Sequence, residues 1–247
     1  MPDFSQMEVW VFCIFSNEPS LIEPMLAGED FHTNVSRQVW GEEKDYKEKE
    51  KHYRLRAKLV VFCKFYGGGV DKIAFLLSTS RQEASKFVYE LDTRFPAISR
   101  FIRRMSNRAE ASGGKIVNPF GRTYFIPSQL SYRAVNYLVQ GSCADILKES
   151  MIRIDNLFRT KWKGNHMLLT LHDELALEIK KEHHSFKLMN DIIDCMQADY
   201  KTIGMPIPLP IGMKIIKTDW SKPLEIKRIK EQWKERYLYD PKTRRIK

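Results

Sequence analysis

Cysteine is scarce in this chain. Cys13, Cys63, Cys143 and Cys195 are the four in 247 residues, and no two are close neighbours. That spacing argues against a zinc site, and reduced thiols in a cytosol-like compartment are the expectation. No apolar run approaches the roughly 20 residues that a membrane-crossing helix needs, so no membrane partner is expected. The first residues, Met1-Pro2-Asp3, carry no basic segment of the kind that opens a secretory signal. Internal repeats and low-complexity tracts are missing as well. A cytoplasmic protein is expected, acting in host cytoplasm if its source is viral.

What is present is an ordinary globular composition with a basic excess. Apolar residues make up 43% of the chain, enough for one large or two modest cores. The formal net charge is +10. A polyanionic partner is compatible with that balance, although many soluble proteins are equally basic. The segment 222–247 holds ten Lys/Arg against four Asp/Glu and so concentrates the excess.

The pattern predicts an α+β protein. Residues 3–15 read as a strand running into a helix, and 16–31 as a connection with short helical pieces. The charged block 42–53 feeds a helix over about 53–66, stopped by Gly67, Gly68 and Gly69. Ser80 with Glu83 forms a capping-box pattern for a helix that Pro96 divides. Asn118–Arg122 reads as a turn between two extended pieces. Ser142 with Asp145 repeats the capping pattern, predicting a helix that starts there and runs to about Phe158. Two short apolar strands, 167–171 and 175–179, flank His172-Asp173-Glu174 as their turn. A helix over 183–202 is predicted to bury Phe186, Met189, Ile192, Ile193, Met196 and Tyr200. A last strand, 211–217, follows Pro206, Pro208 and Pro210. In the tail, Ile226, Ile229, Trp233 and Tyr237 have helical spacing, which suits docking on a partner or DNA and equally a solvated terminal helix.

Three strings carry candidate chemistry. A hairpin turn presenting Asp173 holds a carboxylate rigidly, and Asp3 at the end of another strand could sit beside it. Two such groups repel unless a cation lies between them. Hard oxygen ligands suit Mg²⁺, which keeps waters and takes substrate phosphates. Alone, an acidic turn is common in proteins that bind no metal. Second, Arg54, Lys58, Phe62 and Tyr66 recur every four residues, tracking roughly 18 Å along one side of a helix. Cations for phosphates and rings for a base suit a nucleoside triphosphate. A solvated basic face is the plain alternative. Third, Asn136 and Gln140 place two amides four apart, able to read base edges in a minor groove or simply to face water.

Taken in order, these strings resemble family A DNA polymerases. Asp3-Phe4-Ser5-Gln6-Met7-Glu8 is similar to the family's motif A. Arg54-xxx-Lys58-xxx-Phe62-xxx-Tyr66-Gly67 resembles motif B of the fingers. Gln140-Gly141-Ser142-Cys143-Ala144-Asp145 resembles its Q-G string, and His172-Asp173-Glu174 its motif C. The resemblance runs from Asp3 to about Trp220. It implies a palm of antiparallel sheet with helices plus helical fingers. The palm would cover 1–25 and 116–221, the fingers 26–115, and a basic extension 222–247.

The resemblance also implies roles. Asp3 and Asp173 would bind two Mg²⁺ ions, with Mn²⁺ able to substitute, and the Phe4 backbone carbonyl would add a ligand. Glu174 would sit near the metals or the primer terminus. Gln6, Glu8, His32, Arg54, Lys58, Phe62 and Tyr66 would form the dNTP site. Within it Glu8 would exclude a ribose 2′-OH and pair with Tyr66, which would also occupy the template position. Asn136, Gln140 and His172 would contact primer–template DNA. Trp10, Leu55, Val61, Cys63, Tyr132 and Leu138 depart from the family's pattern and bear on fidelity and nucleotide affinity more than on activity.

Because only Met1 and Pro2 precede Asp3, the thumb and exonuclease-like domain are expected to be absent from this chain. A second polypeptide would then supply the thumb, the N-terminal palm and an exonuclease domain if there is one. The expected function is template-directed addition of deoxynucleotides to a primer 3′-OH. The alternatives are a fragment of a single-subunit-type RNA polymerase, or a non-catalytic DNA-binding or assembly subunit.

Overall fold

A computed structural model describes residues 1–197, 200, 209–216, 221–226, 239–240 and 245–246. The chain forms two compact units, Met1–Val11 with Gln140–Asp240, and Phe12–Val139. The division falls at residues 11/12 and 139/140, not at the expected 25/26 and 115/116. Residues 12–25 and 116–139 cluster with the helical unit. One cause is Glu18, which is buried and accepts a hydrogen bond from the Ala97 N–H at 2.9 Å, 79 positions away. Spacing along the sequence gives no warning of such a pair.

The first unit is built on a five-stranded antiparallel sheet. Its strands are β1 (Pro2–Phe4), β4 (His166–Leu171), β5 (Glu174–Glu178), β6 (Ile211–Ile215) and β7 (Leu224–Glu225), in the order β4-β5-β1-β6-β7. β1 is central although it is three residues long. It pairs with β6 through Pro2↔Met213, Asp3↔Gly212 and Phe4↔Ile211, and with β5 through Asp3↔Glu174. Directly opposite residues share a face. Glu174, Asp3 and Gly212 therefore stand in a row on one face, while Leu175, Phe4 and Ile211 are buried on the other. Burying each of those three contributes about 1.5–3 kcal/mol.

α8 (Ala134–Thr160) is one continuous helix, which corrects the start expected at Ser142. Ser142 lies fully buried in its interior. An N-cap serine needs extended backbone. Buried Val135, Leu138, Val139 and Ile146 instead continue one apolar stripe through position 142. α9 (Phe186–Met196) is shorter than the helix expected over 183–202. Its N-cap Ser185 accepts from the Leu188 N–H. Leu188, Ile192, Ile193 and Met196 are buried, whereas Phe186 is exposed. Six residues carry Phe186 about 120° round the helix from Ile192, off the inner face. Tyr200 is buried outside the helix, its ring under the Arg153 guanidinium.

The second unit is mostly helical. Its helices include α2 (Pro19–Leu26), α3 (Phe31–Trp40), α4 (Glu50–Phe65), α5 (Val70–Leu77), α6 (Arg81–Arg94) and α7 (Pro96–Ala111), with a hairpin of β2 (Lys115–Val117) and β3 (Thr123–Phe125). α1 (Met7–Ser16) straddles the unit boundary, as α8 does. α4 begins in the charged block, earlier than expected, and ends as predicted, with Gly67 at φ +73°. Phe12 stacks on Phe65 and meets Phe101 edge-on, and these rings are core. Ser80 caps α6 by accepting from the Glu83 N–H at 3.1 Å. The Glu83 carboxylate completes no reciprocal box and instead accepts from the Thr79 hydroxyl. Pro96 opens α7, where a missing N–H is harmless.

Two short strands, β8 (Tyr239–Asp240) and β9 (Arg245–Ile246), pair with each other. Ile229, Trp233 and Tyr237 of the expected tail helix lie outside the described residues. Among the described residues no helix is long and apolar enough to cross a membrane.

Candidate active site

In the first unit the carboxylates are placed by backbone pairing. β4 and β5 close through Leu171↔Glu174, so His172 and Asp173 make a two-residue turn. His172 sits at φ +55°, where a tight hairpin usually places glycine. Accepting that strain at a non-glycine residue fits a functional position. The Phe4 N–H donates to the Asp173 carbonyl at 3.1 Å and ties the turn to β1. Gln6, just past β1, also has φ +55° and is exposed. Asp3 and Glu174 face each other across β1 and β5.

The electrostatics favour a cation. Burial raises the Asp173 carboxyl above its usual range. The backbone hydrogen bond at Asp173 opposes this, and the charge of Asp3 raises it further. Among the described residues no group of three or more His, Cys, Asp or Glu has metal-holding geometry. The oxygen donors that lie close enough to interact are the Asp3 and Asp173 carboxylates. That set fits Mg²⁺, which binds through one or two carboxylates and completes its shell with water and phosphate.

Two neighbours, Lys214 and Cys143, are not anticipated by the sequence. Lys214 Nζ lies 3.5 Å from Glu174 Oε1, on the same face as Gly212 and Asp3. The alternation Ile211-Gly212-Met213-Lys214-Ile215 could have revealed Lys214 as facing opposite to the apolar residues. Glu8, in the first turn of α1, receives a hydrogen bond from Gln140 Nε2 at 3.4 Å. The buried Cys143 thiol is pushed up first by burial, then by the charges of Glu8 and Asp173, which places it close to both.

The second unit holds the cationic and aromatic residues. α4 buries Ala57, Val60, Val61, Cys63 and Phe65. Arg54, Lys58, Phe62 and Tyr66 are left off the core, as their spacing predicts. Phe62 stacks with Tyr66 (centroids 5.8 Å, 26°) and tilts against His32 (5.6 Å, 42°). Tyr66 is the C-cap of the helix. Arg54 is already engaged, donating from Nε and Nη2 to the two Asp30 oxygens at 2.8 and 2.9 Å. Asp30 also caps α3, accepting from the Thr33 N–H at 2.9 Å. Burial alone would raise the Asp30 carboxyl, but hydrogen bonds from Arg54 and Thr33 hold it well below the usual carboxylate range.

His32 is buried, and burial lowers its pKa to about 4. Asp30 opposes that shift, and the cations Arg54 and Lys58 add to it. The imidazole is therefore neutral at pH 7, and its buried Nδ1 has no hydrogen-bond partner among the described residues. Lys58 is exposed. Asn136 and Gln140 stand four apart on α8; among the described residues the buried Asn136 Oδ1 has no hydrogen-bond partner, and Gln140 is exposed. His172 is exposed.

Comparison with known proteins agrees with this geometry. Residues 1–222 match DNA polymerase family A. The chain is 31% identical over 213 residues to DNA polymerase I of Helicobacter pylori, covering 83% of this chain and 23% of that protein. It is 28% identical over 180 residues to the DNA polymerase of Mycobacterium phage D29, covering 73% of this chain and 28% of that protein. The chain thus spans about a quarter of the length of these relatives. Among solved structures it resembles the POL domain of Pol1 from M. smegmatis in complex with DNA primer-template and dNTP. There the TM-score is 0.75 at 25% identity, covering 85% of this chain and 38% of that one.

Proposed function

The chain belongs to DNA polymerase family A, and from that premise we propose that it carries the nucleotidyl-transfer centre of a DNA-directed DNA polymerase. A primer 3′-OH attacks the α-phosphate of a dNTP, and pyrophosphate leaves. The observation that carries this reading is the row across β5, β1 and β6. It sets Asp3 beside Glu174, while the Phe4 N–H pins the Asp173 turn. The M. smegmatis relative, solved with primer-template and dNTP, supports the choice of ligands.

Asp3, Asp173 and the Phe4 carbonyl would hold two Mg²⁺ ions. Bound there, the metals supply charge for the attacking and leaving oxygens of an in-line displacement. The remaining roles belong to the chain. Glu174, paired with Lys214, lies beside the carboxylate pair and the primer terminus. Arg54 and Lys58 take the triphosphate, Arg54 exchanging Asp30 for phosphate oxygens. His32, neutral, offers its ring nitrogen as a hydrogen-bond partner and not as a charge. Gln6 lies along the triphosphate. Phe62 packs on the incoming base, and Tyr66 occupies the template position. Glu8, held by Gln140, blocks a ribose 2′-OH. Asn136, Gln140 and His172 contact the primer–template. We assign the names palm and fingers to the first and second units.

A DNA and not an RNA product follows from Glu8, because a carboxylate there leaves no room for the 2′-OH. The test is primer extension by the purified protein on a primer–template, with dNTP or rNTP supplied. Incorporation of dNTP over rNTP, abolished by Asp173→Asn, is expected. Synthesis that survives Asp173→Asn sinks the catalytic assignment and favours a DNA-binding or assembly role.

A further inference from the structure

Gly212 is a buried glycine within β6, a place where glycine weakens a strand. Neither a turn nor a bulge accounts for it. Its φ is not in the left-handed region. The register with β1 runs unbroken through Pro2↔Met213, Asp3↔Gly212 and Phe4↔Ile211.

Asp3 accounts for it. A Cβ at position 212 would lie 2.5 Å from Asp3 Oδ1, 3.1 Å from Cγ and 3.2 Å from Oδ2. The three nearest atoms all belong to that one carboxyl group. Opposite residues on an antiparallel pair normally carry their Cβ atoms side by side, about 4.5–5.5 Å apart. Here the Asp3 side chain leans into the space where the neighbouring side chain would stand. Glu174, the residue paired with Asp3 on the other flank, carries the same charge.

We propose that Gly212 is a positioning residue: its missing side chain is the seat of the Asp3 carboxylate. A methyl group there pushes the carboxylate out of the seat, either toward Glu174 or away from the sheet. The inference rests on the reading of Asp3 as a metal ligand.

The test is a double-mutant cycle in the full chain, comparing wild type, Gly212→Ala, Asp3→Ala and Asp3→Ala/Gly212→Ala. Thermal unfolding and Mn²⁺ binding, followed by electron paramagnetic resonance, are measured for each. With Asp3 present, Gly212→Ala is expected to lower Tm and to weaken Mn²⁺ binding about tenfold, the effect of about 1.4 kcal/mol. In the Asp3→Ala background the same change is expected to leave Tm unchanged or raised, because a strand prefers alanine to glycine. If Gly212→Ala alone does not fold, refolding of the double variant supports the seat. If neither folds, or the Tm loss is equal in both backgrounds, the clash is not with the carboxylate and the proposal falls. Unchanged Mn²⁺ affinity in Gly212→Ala, with loss in Asp3→Ala, also overturns it. Unchanged affinity in Asp3→Ala instead removes the metal reading, and the Tm cycle still decides whether Gly212 seats the side chain.

Discussion

The two units hold their functional side chains by different means. In the sheet unit, Asp3, Asp173 and Glu174 are set by strand register and by a main-chain hydrogen bond from Phe4 to the Asp173 turn. In the helical unit, Arg54, His32 and Phe62 are set by side-chain contacts: a bidentate ion pair with Asp30 and a run of tilted rings. Backbone pairing leaves little freedom and suits groups that must keep a fixed separation. An ion pair can exchange one anion for another, which suits the exchange of Asp30 for phosphate proposed for Arg54. One unit therefore holds a rigid acidic group, and the other a basic group that can change partners.

The largest expected effect breaks the rigid half. Asp173→Asn or Asp3→Asn should cut primer extension by about 10³-fold or more, the several kcal/mol that metal-held charge contributes, with Tm nearly unchanged. Single-turnover kinetics beside a thermal melt checks this. A Tm loss that matches the activity loss would mean that the carboxylates serve folding.

The exchangeable half should fail differently. Arg54→Ala is expected to raise the KM for dNTP by about 10- to 100-fold, the loss of charge-assisted hydrogen bonds, with a smaller change in kcat. It also strips Asp30 of its main partner. Because the folded Asp30 carboxyl lies below its unfolded value, the stability it adds is complete above about pH 4 and is lost as pH falls through the folded value. Unfolding followed from pH 5 to pH 2 should therefore show a weaker acid dependence in Arg54→Ala than in wild type.

His32 has the opposite sign from a paired histidine. Its folded pKa of about 4 lies below an unfolded value of about 6.5, so the unfolded chain takes the proton first as pH falls. Stability should drop between pH 6.5 and 4, by up to about 3 kcal/mol. His32→Gln should flatten that window, and a pH-independent Tm there in wild type would contradict the neutral, buried ring.

Lys214→Met should have the smallest effect. The Lys214–Glu174 pair is partly exposed, and such pairs contribute about 1 kcal/mol or less. A change in kcat of less than tenfold is expected; a loss as large as that of Asp173→Asn would move Lys214 into the reacting centre.

Much of this was legible in local spacing. Arg54, Lys58, Phe62 and Tyr66 could be placed on one side of α4 because helical period alone decides it, and the core residues Ala57, Val61 and Phe65 on the other side agree. The hairpin around Asp173 was legible from two apolar runs and an acidic turn. Ser142 was misread because a capping pattern is local, whereas the apolar stripe that carries α8 through it begins upstream at Val135. Phe186 is apolar, yet helical period alone sets it about 120° from Ile192, so apolar character and spacing disagree there and spacing prevails. Asp30, N-cap of α3, gave no sign that it would hold Arg54, 24 positions away.

The sequence by itself determined which residue types were available and their local period: two acidic strings, one cationic and aromatic helix face, and strands that alternate. Only the tertiary structure decided that Asp3 stands between Glu174 and Gly212, that Lys214 reaches Glu174, and that Arg54 rests on Asp30. Those facts depend on the pairing of segments up to 209 positions apart, as Asp3 and Gly212 are. Strand register and packing set such pairings through hydrogen bonds and burial summed over the whole sheet, and no short window of sequence contains that sum.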